Sequence, residues 1–320
     1  MKNDFLFKNL IEALHDRIPQ RGKLADMLTE LLGIEKEAVY RRLRGSVPFS
    51  FQELYTIAIY MGFSLDSIAE NISPVTRQMT ILLSDFPHPS ENDYKKLEDF
   101  ISNIHRLKED PDSESGAIGS IIPMSLCVPY QYIYKFNLFK WSHQFGNQKK
   151  IKPYAETYIP ERLTQINQIF IEGVQSSPKS IYIIDRRIIK YLVNDIRFFF
   201  DIRLLKSEDI LLLKEDLHLL IGDLERYAVT GQFDTGSKVD IYLANVHIDA
   251  NYNYINATNY KLTMIHTFTF SDSFSFDEVV FQNMKNWLIF LKRTSTLISE
   301  GNVTERIRFF EKQKQTIDSL

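Results

Sequence analysis

Apolar side chains recur at helical spacing through the first seventy residues. Phe5, Leu6, Leu10, Ile11, Leu14 and Ile18 share one helical face, and Pro19 and Gly22 end that run. Leu24, Met27, Leu28 and Leu31 define a second helix over 23–32, and Gly33 supplies the turn because a left-handed backbone costs glycine little. A third helix is predicted over 36–44, stopping at Gly45, and a fourth over 51–62 with Leu54, Ile57, Ala58 and Met61 inward. A short fifth helix over 65–71 precedes Pro74.

Residues 75–112 read as a helical connector, with helices over 75–84 and 93–107 split by DFPHPS. The acidic, turn-rich KEDPDSESG at 108–116 marks the break to a second module. Beyond it the periodicity is mixed. The aromatic run 130–141 fits a buried helix or a strand. Helices are predicted over 160–174, 186–199 and 207–229, the last opened by Ser207 with Glu208 and Asp209 in its first turn. SIYIID at 180–185 reads as a strand. Three alternating runs, 239–248, 251–260 and 262–270, predict an antiparallel meander, followed by a long helix over 277–299 and a tail helix. The expected fold class is therefore α+β overall. An all-α N-terminal helix-turn-helix domain over 1–74 leads through the connector to a C-terminal α+β domain over 113–320.

Composition narrows the setting. With 320 residues, 44% of them hydrophobic, the chain has material for two packed cores. Cys127 is the single cysteine, so no internal disulfide forms and a reducing, cytoplasmic setting is expected. Charges interrupt every long apolar run, which argues against a membrane span, and the first eighteen residues lack the apolar stretch of a leader. The net charge of −3 means that any affinity for nucleic acid must come from a local basic surface.

That surface is predicted at Arg41, Arg42 and Arg44, with Arg17, Arg21 and Lys23 as candidates to join it, within a helix-turn-helix pattern. A helix-turn-helix needs a small residue where its helices cross, a glycine-like turn, and apolar pegs under the second helix. Ala25, Gly33 and the pegs Ile34, Val39 and Leu43 fit, leaving Lys36, Glu37, Tyr40, Arg41 and Arg44 on the opposite face. The stretches LADML, GIEKEAVYRRLRG and FSFQELYTIAIYMGFSLDSI resemble the phage-repressor-like helix-turn-helix family over residues 5–72. The resemblance implies that Lys36, Glu37 and Tyr40 face bases and that Arg41 and Arg44 contact phosphate or guanine edges of double-stranded DNA. Glu35 stands where many relatives carry a small capping hydroxyl.

The second module carries weaker chemistry. It has no glycine-rich phosphate loop, nucleophile elbow or paired-cysteine metal motif, so neither an enzyme nor a cofactor is expected. A metal site would have to draw on His247, Asp249 and His266, and surface or hydrogen-bonded histidines are the simpler expectation. Cys127 is expected to be a buried, inert thiol. The aromatic residues Tyr130, Tyr132, Tyr134, Phe136, Trp141, Tyr242, Tyr252, Tyr254 and Phe268 are candidates for a ligand-lined cavity, each also suited to a core. The sequence thus points to a DNA-binding transcription regulator, a homodimer whose second domain dimerises or senses a small-molecule effector. The alternative is a protein-interaction adaptor whose helical head does not bind DNA.

Overall fold

The computed structural model describes residues 2–61, 63, 65, 68, 79–82, 89–145, 152–267 and 272–320. The chain divides into two compact units. The first is 1–80 with 259–261 and 275–282, and the second is 81–258, 262–274 and 283–320.

In the first unit, α1 (Lys2–Arg17), α2 (Arg21–Leu32), α3 (Lys36–Leu43) and α4 (Phe51–Met61) follow the predicted order. Their inward faces meet at Leu10, Leu14, Leu24, Ala25, Leu28, Val39, Ile57 and Ala58, all buried. Phe5 and Leu6, expected on the inward stripe of α1, are instead exposed, so packing begins a turn later. Most of the predicted fifth helix, and most of the helix predicted over 75–84, lie outside the described residues. The described part of the latter, Thr80–Leu82, is a strand, β1. Its sheet partner decides the conformation of so short a segment, overriding the helical spacing.

The second unit holds most of a mixed sheet whose strand order is β1-β7-β6-β5-β2-β3-β4-β8. Here β2 is Glu114–Gly119, β3 Lys179–Ile184, β4 Lys238–Ala244, β5 Asn251–Ala257, β6 Tyr260–His266, β7 Asp272–Ser275 and β8 Ser295–Leu297. β2, β3 and β4 run parallel, β5 is antiparallel to β2, and β8 is antiparallel to β4. Parallel neighbours require long crossovers. Those are helical: α6 (Met124–Cys127), α7 (Gln131–Phe145) and α8 (Glu161–Gln175) join β2 to β3, and α9 (Ile188–Asp201) and α10 (Ser207–Thr230) join β3 to β4. An amphipathic α5 (Glu91–His105) precedes β2, and α11 (Glu278–Thr294) and α12 (Val303–Asp318) complete the chain.

Two departures from the expected meander follow. Only the last two of the three predicted runs, β5 and β6, are neighbours, joined by a short turn that forces them antiparallel. The first, β4, lies beyond β2 and β3 on the other side of the sheet. The segment read as a polar break, 108–116, contains the start of β2, a strand with two neighbours. Its small residues are a packing requirement. A side chain at Gly116 would come within 2.3 Å of the Tyr254 ring.

Alternate residues of the strands face two different layers, as a pleated sheet dictates. Tyr182, Ile184, Val239, Ile241 and Leu243 share a core with α7, α9, α10 and α12. On the other face, Trp287 of α11 lies 4.7 Å from the Tyr252 ring, and the Lys285 and Lys292 ammonium groups sit over Tyr254 and Tyr242 at 4.9 and 5.3 Å. Asp216 of α10 caps α7, accepting from the Tyr132 N–H at 2.6 Å and the Ile133 N–H at 3.2 Å. No described helix is long and apolar enough to cross a membrane.

Candidate nucleic-acid interface

The turn between α2 and α3 is glycine-dependent. Gly33 closes α2 at φ 63°, its N–H donating to the Thr29 carbonyl at 3.0 Å. α3 then opens at Glu35, whose side chain makes no capping bond. The substitution of a carboxylate for a capping hydroxyl thus leaves this helix start uncapped by its own side chain.

Of the five predicted contact residues, Lys36, Glu37 and Arg41 are exposed on α3, and Arg44 is exposed just past its end. Glu37, Arg41 and Arg44 follow one another at helical spacing, which lines them up along one side. Tyr40 differs from expectation: it is half-buried and packs against the helical core, because its ring shares the side of α3 that carries the pegs. Two of the cations already have partners. Lys36 pairs with Asp26 of α2, and Arg44 pairs with Glu37 at 2.9 Å. Both pairs are largely solvent-exposed, and exposed pairs of this kind contribute only ~0–1 kcal/mol. Exchanging such a carboxylate for a phosphate is therefore cheap. Arg41 is exposed with no ion pair among the described residues.

Two further arginines turn inward. Arg42 pairs with Glu53 of α4 at 2.9 Å, with both side chains more than four-fifths buried, and also donates to the Ala38 carbonyl. Glu53 is simultaneously half of a reciprocal cap on α4. The Ser50 N–H donates to Glu53 Oε2 at 2.7 Å, and the Glu53 N–H donates to Ser50 Oγ at 3.2 Å. Burial acts to raise the Glu53 carboxyl, but Arg42 and Ser50 outweigh it and hold it below the usual carboxylate range. Arg17, grouped in the sequence with the positive surface, donates to the Met61 and Ala13 carbonyls and lies 5.0 Å from the Phe63 ring. It ties α1 to the end of α4. Arg21 and Lys23 remain exposed at the start of α2.

The sequence signal for Arg42 was available. SFQE at 50–53 is the spacing of a capping box, and a carboxylate fixed there calls for a cation from the neighbouring helix.

In the second unit, His247 and Asp249 lie on the loop after β4 rather than on a strand, both largely exposed and 3.7 Å apart. His266, at the end of β6, has Nδ1 3.1 Å from Asp272 Oδ1. The three are not brought together, and no group of three metal-binding side chains occurs among the described residues. Cys127 is fully buried, and burial pushes its thiol up to about 12. The aromatic candidates mostly build cores: Tyr134, Phe136, Trp141 and Tyr254 are buried, and Tyr252 packs at a tilt against Trp287. Phe268 lies outside the described residues. A cavity of about 300 Å³ in this unit takes a different aromatic side chain, Tyr191.

No curated protein and no solved structure matches this chain. A family model of the BetR domain, a helix-turn-helix-like DNA-binding family, matches residues 3–85.

Proposed function

We propose that this chain is a non-catalytic, cytoplasmic transcription regulator that reads double-stranded DNA with α3, in the manner of phage-repressor-like proteins. Its second unit dimerises the protein or senses a small effector. The observation that carries the reading is the stripe Glu37, Arg41 and Arg44, presented by a helix that Gly33 sets at a fixed angle to α2, within the residues matched by the BetR domain. Arg41 and Arg44 supply phosphate or guanine contacts. Glu37 is placed to accept from a cytosine amino group, and Lys36 to donate once released from Asp26. Tyr40 contributes its exposed edge.

A homodimer suits this use, since two recognition helices one helical turn apart read an inverted repeat. The outer side of α4 supports it: Phe51, Tyr55 and Ile59, spaced four apart, are all more than half exposed. The same stripe favours a second reading, in which the helical head binds another protein and no DNA. Titrating the full chain with duplex DNA at several salt concentrations separates the two. The regulator reading requires salt-dependent binding that Arg41→Ala weakens, and the adaptor reading requires none.

A further inference from the structure

At the carboxyl ends of β2 and β3, where parallel sheets commonly hold ligands, the second unit forms the partly open cavity of about 300 Å³. Its walls are two helices. Ile133, Asn137 and Lys140 fall on one side of α7, and Ile188, Leu192 and Asp195 on one side of α9. Its floor is made by strand ends. Gly119 has no side chain, which lets Asn251 approach; a Cβ there would meet Asn251 Oδ1 at 2.1 Å. That oxygen accepts from the Ser120 and Ile121 N–H groups at 2.7 and 3.0 Å, which leaves the Asn251 amide N–H₂ to donate elsewhere. His266 completes the floor, oriented by Asp272.

The charges of this cavity are unequal in depth. Lys140 pairs with Asp195, but the lysine side chain is 19% exposed and the aspartate 44%. The cation is the recessed partner, and the carboxylate can turn to solvent at little cost. Ser120, Asn137 and Tyr191 add polar groups that can both donate and accept, and Ile121, Ile122, Met124, Ile133, Ile188 and Leu192 make up the apolar lining. The volume is at the small end of the ~300–1,000 Å³ range of organic-ligand sites.

From these features we infer that the cavity binds a small amphipathic carboxylate, its head group taking the place of Asp195 on Lys140 and its hydrocarbon body lying against Ile133, Ile188 and Leu192. The inference rests on reading the second unit as a sensor and names the class of its effector.

Calorimetric titration of the full chain with octanoate and with uncharged octanamide tests it. Octanoate binds and octanamide binds at least about tenfold more weakly. Lys140→Met loses octanoate by a similar factor, whereas Asp195→Asn, which removes the competing charge, binds it at least as tightly. Ile121→Trp guards against misfolding as an explanation, because Ile121 lines the cavity from an exposed position, and this variant keeps its thermal stability while excluding octanoate. Equal binding of octanamide, unchanged binding by Lys140→Met or Ile121→Trp, or weaker binding by Asp195→Asn overturns the assignment. The same samples titrated with duplex DNA keep the two claims apart. Octanoate binding without DNA binding refutes the regulator and leaves the site, and DNA binding without octanoate binding refutes the site alone.

Discussion

Arg41 and Arg42 are adjacent in sequence yet face opposite surroundings. Arg41 projects into solvent, and Arg42 closes α3 onto α4 through Glu53. Replacing each with alanine should separate DNA affinity from stability. Arg42→Ala strands a buried carboxylate and is expected to cost about 1–3 kcal/mol in urea melts, whereas Arg41→Ala leaves the midpoint within about 0.5 kcal/mol. Glu53 adds a pH signature. Its folded carboxyl is held below its unfolded value of ~4.3, so its contribution is present above that pH and is lost as pH falls through the folded value. Glu114 behaves alike: burial opposes ionisation, but Lys285 and Tyr254 hold its carboxyl low. Acid titration below pH ~4.3 should destabilise the wild type more steeply than Glu53→Gln or Glu114→Gln. Equal slopes would show that these pairs contribute nothing. Cys127, with its thiol raised by burial, should resist thiol reagents in the native protein and react on unfolding.

Helices were more legible than strands, for reasons that particular elements make plain. The heptad-like spacing of Leu24, Leu28, Leu31 and of Ile57, Ala58, Met61 is a local property, and α2 and α4 form where it indicates. β2 has no such local mark. ESGAIG is short, small and partly polar, and it becomes a strand because Tyr254, Ile181 and Asn251 close around its glycines. β4 alternates clearly, but its partner is chosen by the α9 and α10 crossover rather than by nearness in sequence. The exposed side of α3 could be read from the pegs Val39 and Leu43, whereas the inward turn of Tyr40 and Arg42 depends on what α4 and the core present to them. Capping shows the same dependence. Asp216 receives two N–H groups of α7 across more than eighty residues of chain. Asp216→Ala should cost about 1–3 kcal/mol in a denaturant titration, while Asp216→Asn retains the acceptor without a charge to bury and should cost less than about 1 kcal/mol. A larger loss for the asparagine variant would mean that the negative charge itself is required.

For the whole molecule, a net charge of −3 makes the local basic stripe the source of any attraction to DNA. Each lysine or arginine that contacts phosphate contributes about one to the slope of log affinity against log salt. Arg41→Ala should reduce that slope by about one if a single copy binds and by about two if a dimer engages both half-sites. The most direct measurement is selection of bound genomic fragments by the wild-type chain and by Arg41→Ala across a salt series. Enrichment of one inverted-repeat sequence by the wild type, lost with rising salt and depleted in the variant, is the expected result. Uniform retention of all fragments, or identical profiles for the two proteins, would contradict it.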